Sequence, residues 1–295
     1  MNMIKRLLDK GVQLALGCIG IIFVAGIPIL LQDIGHWNLE WKAYWSETKN
    51  VFTSIQNPNE LTYFSIKMFE ERPLFPFLMD AVIYSLTILV GALLTASVLA
   101  ILLTLLTMNM SLKGRQRFKF LFFLFESIPD ILIILGFQLF IVFFYKKTEI
   151  LLFPIATLGE NRAYFIPILC LAILPMVQFY RLNMLNFERE ETQNYVELAR
   201  SLGFGKWYVQ TKHIFRNAVL SVFFQSKKIL WFMLSNLFIL ELLFNINGVT
   251  SLLVSYMSPS SFAMALLCLF VPVFIVYSLL EIIVERKANR GEVLT

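Results

Sequence analysis

Charge is scarce in this chain of 295 residues: only 15% are Asp, Glu, Lys or Arg, where a water-soluble globular domain carries about a quarter. Water is therefore the wrong solvent for most of its surface. There are only two histidines, His36 and His213, so no imidazole cluster is expected and no metal site is read from the sequence. The three cysteines, Cys18, Cys170 and Cys268, lie far apart in apolar segments without CxxC spacing. That excludes a disulfide framework and makes them small buried hydrophobes. Glycine and proline are also few, 13 and 10, and a chain that is 58% hydrophobic is not disordered. A phosphate-binding loop is lacking too. Gly203, Gly205 and Lys206 mimic part of one, but Arg200 stands where its first Gly belongs and Trp207 where Ser or Thr belongs. ATP hydrolysis is not expected of this chain.

What the chain has in quantity is long apolar runs, with a mean hydropathy of +0.72. A helix needs about 20 residues to cross a hydrocarbon core of about 30 Å. The runs predict an all-α polytopic membrane protein with about six transmembrane helices, at residues 11–31, within 77–108, and at 118–144, 164–179, 229–244 and 262–284. The first follows Lys5, Arg6 and Lys10 and reads as a retained signal anchor, because no small-residue cleavage site follows it. Residues 32–76 form an outer loop. Its beginning carries His36, Trp37, Trp41, Tyr44 and Trp45, rings that favour the headgroup zone. The organisation expected is thus 1–31 (tail and first span), 32–76 (loop), 77–284 (five-helix core) and 285–295 (tail).

Six spans put both termini on one side of the membrane. Of the 25 Lys and Arg, 18 fall in the N-terminus, 109–119, 181–228 and the C-terminus, and seven fall in 32–76 and 145–163. The excess marks the first group, and so both termini, as cytoplasmic. The same scatter argues against nucleic acid as a partner, since a phosphate-binding stripe would converge on one face.

The cytoplasmic segment 194–222 carries the most information. Tyr195, Leu198, Ala199 and Leu202 follow i, i+3, i+4, i+7 spacing, which predicts a short helix with one apolar face. Gly203 and Gly205 interrupt it, Gly203 in a left-handed termination. Helical composition resumes at Lys206 and feeds the fifth span. A helix, turn and helix across the cytoplasmic face suits transmission of force from a soluble partner, and equally suits an interfacial elbow on lipid headgroups.

Glu197, Ala199 and Gly203 reproduce an E-x-A-x-x-x-G core. Tyr195-Val-Glu-Leu-Ala-Arg200-Ser-Leu-Gly203 and, further on, His213-Ile-Phe-Arg216-Asn217-Ala218 extend it. These blocks resemble the EAA loop of permease subunits of binding-protein-dependent ABC importers, in the dipeptide, oligopeptide and nickel branch. Ser127-Ile-Pro129, Leu174-Pro175 and Glu241-Leu-Leu-Phe244-Asn-Ile-Asn247-Gly248 are similar to further blocks of that family, so the resemblance covers roughly 77–284. The single span ahead of an outer loop resembles a B-type subunit of a peptide permease pair. The chain departs from the pattern at Asn194, Ser221, Asn247 and Thr250, where the family often has Asp, Pro, Pro and Gly.

The resemblance implies a type I ABC importer permease in the cell membrane, moving di- or oligopeptides. Its implied partners are a second, C-type permease, two ATPase subunits and an extracytoplasmic solute-binding protein. This chain would bind no cofactor, ATP and Mg²⁺ residing on the ATPases. Glu197, Ala199, Arg200 and Gly203 would couple to the ATPase, with Tyr195, His213, Arg216 and Asn217 supporting the elbow. Glu126, Pro129, Asp130 and Glu241 are pathway or gate candidates, with Glu126 and Asp130 one turn apart at the entrance of the third span. The alternatives are a permease for nickel or another small solute, and a secondary transporter without ATPases.

Overall fold

The computed structural model describes residues 3–30, 40–65, 70–150, 153, 162–254 and 258–289. The helices are α1 (Met3–Leu30), α2 (Trp41–Gln56), α3 (Phe77–Met108), α4 (Leu112–Glu126), α5 (Asp130–Thr148), α6 (Phe165–Glu191), α7 (Asn194–Ser201), α8 (Lys206–Tyr208), α9 (Phe215–Leu243), α10 (Val249–Val254) and α11 (Pro259–Asn289). Between α2 and α3, β1 (Thr62–Ser65) and β2 (Glu70–Pro73) pair antiparallel, Thr62 opposite Pro73. The chain is an all-α membrane protein in architecture, and this hairpin is the one sheet among the described residues.

Five helices are long and apolar enough to cross a membrane: α1 from Lys5, α3, α5, α6, and α11 to Arg286. Leucines, isoleucines and phenylalanines stand exposed along α1, α3, α5 and α11, a surface that water would penalise and lipid accepts. The fifth expected span, 229–244, falls in the second half of α9, which ends at Leu243 and is not among the five. Lys227 and Lys228 sit near the middle of this helix, and the roughly 16 residues beyond them rise only about 24 Å. The third expected span is also corrected. Residues 118–144 are two helices, because Pro129 has no amide hydrogen and disfavours helical backbone at Ile128. Ser127 ends α4 and Pro129 opens α5. The cationic α4, capped by the Ser111 hydroxyl accepting from the Gly114 amide at 3.3 Å, has no buried residue; the span is α5 alone. His36 and Trp37 lie outside the described residues, as does most of 145–163, whereas Trp41, Tyr44 and Trp45 open α2.

The chain forms two compact units. One comprises Met1–Leu86 with Asn247–Ile282. Here α1 and α2 pack through Ala25 and Val51 with Ala263. Gly26 permits the approach, since a Cβ there would stand 3.0 Å from both Thr48 Oγ1 and the Tyr44 ring. The Tyr44 hydroxyl donates to the Phe23 carbonyl at 3.1 Å, and Lys10 Nζ pairs with Glu281 at 2.6 Å.

The other unit comprises Thr87–Ile246 with Ile283–Thr295. Its spine is α6 against α9, with α4 laid on α6 and α5 touching both. The α3 part presents Ala92, Ala96, Ala100 and Thr104, fully buried at every fourth position, small residues that allow close helix approach. Tyr180 of α6 donates its hydroxyl to Thr107 Oγ1 at 3.2 Å and packs its ring 4.4 Å from Phe122. Between α5 and α9 the Asn236 amide donates to the Asp130 carboxylate, and Gln138 Nε2 donates to the Leu243 carbonyl at 2.9 Å.

Asn236→Leu removes the one side chain seen to donate to Asp130. A half-buried carboxylate stripped of its donor costs about 1–3 kcal/mol. The variant is expected to unfold at lower temperature in detergent, and a second change, Asp130→Leu, to recover part of the loss. An unchanged Tm in Asn236→Leu would show that the α5–α9 contact does not depend on this pair.

Candidate functional site

The end of α6 is where three helices are tied together. Glu191, its last residue, accepts from Arg115 of α4 through one oxygen and from Arg200 of α7 through the other, each at 3.0 Å. Arg115 is 11% exposed and donates also to the Met108 carbonyl at the end of α3, at 3.1 Å. The same carbonyl accepts from Gln210 at 3.4 Å, and Gln210 Oε1 accepts from the Asn109 amide at 3.0 Å. Gln210 is buried, so each partner it holds offsets a desolvation cost.

From Glu191 the chain turns through Gln193, whose backbone is extended, into α7. Val196 and Ala199 face inward and are buried. Tyr195 is half-buried and donates its hydroxyl to Glu190. This corrects the expected apolar face: Leu198 and Leu202 are 61% and 67% exposed. Periodicity identified a stripe on the helix, but the inward direction is set by where α6 and the next segment lie, and Val196 shares that side. Glu197 is exposed and its side chain has no partner among the described residues.

The exit from α7 is fixed by Gly203 at φ +85°. The Gly203 amide donates to the Arg200 carbonyl at 3.0 Å and the Phe204 amide to the Ala199 carbonyl at 3.2 Å, the paired bonds of a Schellman ending. No Cβ clash guards Gly203; the requirement is conformational, because L residues pay about 1–2 kcal/mol there. Gly205, at φ −63°, needs no such freedom. From Lys206 the helix continues through α8 and a π-helical stretch, Val209–Ile214, into α9. Leu198, Leu202, Phe204, Trp207 and Tyr208 together leave an apolar surface around the turn, each at least 45% exposed. Behind it the Phe204 and Tyr208 rings stack at 5.0 Å, and His213 lies 5.9 Å from Tyr208.

The expected coupling residues therefore divide. Glu197 points outward unpaired, Ala199 packs inward, Arg200 is turned to Glu191, and Gly203 makes the exit. The supporting residues gather together: Asn217 and Glu190 both hydrogen-bond Tyr195, and Arg216 and His213 share a cavity wall with them. The remaining candidates lie elsewhere. Glu126 is the last residue of α4 and pairs with Arg181 at 2.9 Å, while Asp130 begins α5, so the two acids stand on different helices rather than one turn apart. Glu241 is buried in α9. Its carbonyl accepts from the Ile246 amide at 2.9 Å, with Asn245 left-handed at φ +48°, so the Glu241–Gly248 block forms a second Schellman ending. Sequence reasoning missed Glu191, Arg115 and Gln210. The signal for Glu191 was faint: an acid at the junction of a span with a segment rich in arginine.

A family model described as the inner membrane component of binding-protein-dependent transport systems matches residues 96–289. The chain belongs to this family. It is a multi-pass membrane permease subunit of an ABC importer, a transport component rather than an enzyme. The match begins within α3 and ends with α11, so the permease carries α1, α2 and the hairpin ahead of it. No curated protein matches the chain.

Burial, foremost, and the bond to Glu190 push the Tyr195 phenol from 10.0 up to about 12, opposed by the bond from Asn217. A pKa raised on folding favours the protonated form, so this stabilisation is complete below pH 10 and is lost as pH climbs towards 12. The permease is expected to lose stability over that interval more steeply than its Tyr195→Phe variant, by thermal unfolding across pH 8–12. Parallel profiles would contradict the assigned bond.

Proposed function

We propose that the α7–α8 elbow is the EAA-type coupling element of a peptide importer. Its outward residues seat in a groove of an ATPase subunit, and ATP-driven closure of two such subunits swings α6 and α9 together. The observation that carries this reading is the division of the elbow into two faces. The inner face is bound to the helix core through Glu191, Gln210, Val196 and Ala199. The outer face leaves Leu198, Leu202 and Trp207 exposed around Glu197, which has no partner among the described residues. A lever needs this combination, stiff attachment on one side and an unfilled gripping surface on the other. An apolar surface flanked by charges on the water side of a membrane protein marks a protein contact.

In this reading the gripping set is Glu197, Leu198 and Leu202, while Ala199, Arg200 and Gly203 hold its shape. Tyr195, His213, Arg216 and Asn217 support the elbow from behind. The segment is cytoplasmic, as are both termini. Cargo is a di- or oligopeptide delivered by an external binding protein, a substrate class supported by the sequence blocks around Tyr195 and Arg216. A C-type permease completes the pathway, and nucleotide and Mg²⁺ stay on the ATPases. Alternating access then requires only that nucleotide and loaded binding protein favour different states of the permease pair.

Gly203→Glu puts a side chain at a left-handed position and charge beside the apolar surface. It is expected to insert normally in the membrane yet lower cargo-stimulated ATP hydrolysis and uptake about tenfold in proteoliposomes. Wild-type coupling in that variant would refute the elbow as the transmitting element.

A further inference from the structure

A cavity of about 570 Å³ opens beside the elbow. It lies where the end of α6, the turn to α7, the π-helical stretch and the start of α9 meet. Arg189, Tyr195, Lys212, His213, Arg216 and Asn217 line it. Its size is that of a small-molecule site, but its polar wall suits a hydrophilic ligand and not an apolar one. Three fixed cations face one carboxylate, Glu190, and that carboxylate already accepts the Tyr195 hydroxyl. Arg189 and Lys212 make no side-chain hydrogen bond or ion pair among the described residues, so two donors at the mouth are free for a ligand. The Asn217 amide and the His213 ring add further polar groups to the wall.

We propose that this cavity binds a phosphate-bearing anion. Guanidinium forks fit phosphate oxygens in pairs, and a lysine adds a point charge. A phosphate held between Arg189 of α6 and Lys212 of the π-helical stretch would cross-link the segments that flank the elbow. The phosphate of an anionic lipid headgroup and soluble phosphate share this chemistry. The site stands independently of the coupling reading.

The full-length chain, purified in neutral detergent with the subunits it retains, is titrated at constant ionic strength. One arm uses short-chain phosphatidylglycerol against phosphatidylcholine, the other inorganic phosphate against chloride. A saturable rise in Tm over the matched control is expected in at least one arm. Apparent affinity should fall about tenfold in Arg189→Gln and in Lys212→Gln and be retained in Lys212→Arg. A rise with phosphatidylglycerol alone identifies a headgroup, and a rise with inorganic phosphate a soluble anion. Hydrogen exchange on the unmutated protein gives a reading that needs no variant: the anion should protect residues 206–217. No saturable shift in either arm, a shift that both Gln variants preserve, or protection confined to other segments would overturn the proposal.

Discussion

One carboxylate, that of Glu191, fixes how the α7–α8 elbow leaves the helical core. It stands between Arg115 and Arg200, so α4, α6 and α7 meet at a single charge. Such a shared acid is worth more than an isolated surface ion pair, because Arg115 is nearly enclosed and would otherwise be a buried cation without an acid. Arg115 and Gln210 also satisfy the Met108 carbonyl, which α3 leaves open at its last turn. The elbow is therefore connected to α3, α4 and α6 through a polar network in which most groups serve two neighbours. Motion imposed on α7 must pass to the ends of these helices or break several bonds together.

The outer side of the same element has the opposite character. Its large apolar side chains project around a turn whose geometry only glycine adopts cheaply, and its acid, Glu197, has no partner among the described residues. The family to which the chain belongs works with other subunits, and this surface is where the elbow concentrates an unmet hydrophobic demand. The left-handed Asn245 closes the other end of α9 with the same pair of backbone bonds. The segment from Lys206 to Leu243 is thus preceded and followed by a turn whose backbone satisfies its own polar groups.

Much of this was legible in the chain itself. The α3 span was placed within the bounds of its helix, since a predominantly apolar run of 32 residues with one charge, Asp80, admits one interpretation. The left-handed glycine was readable because it follows a short amphipathic run and precedes renewed helix composition. The third span was misread because hydrophobicity continues across Ser127–Pro129; the break is a matter of backbone hydrogen bonding, to which an apolar average is blind. The fifth was placed inside a longer helix whose lysine pair interrupts it. In α7 the spacing marked a stripe of apolar residues, but which side is buried depends on neighbours distant in sequence. For the same reason Glu191, Arg115 and Gln210 went unnoticed, since their partners lie on other elements, up to 102 residues away.

The central claim, that the exposed leucines of α7 are gripped by an ATPase while its buried side holds the permease together, is tested most directly by placing a photo-crosslinking residue at Leu198 and, separately, at Leu185 of α6. Both positions are exposed, 61% and 64%, but only the first lies on the proposed contact. Illumination of membranes from native cells should join position 198 to a nucleotide-binding subunit and leave position 185 without that product. Equal yields at both positions, or an adduct at 198 with lipid alone, would contradict the account.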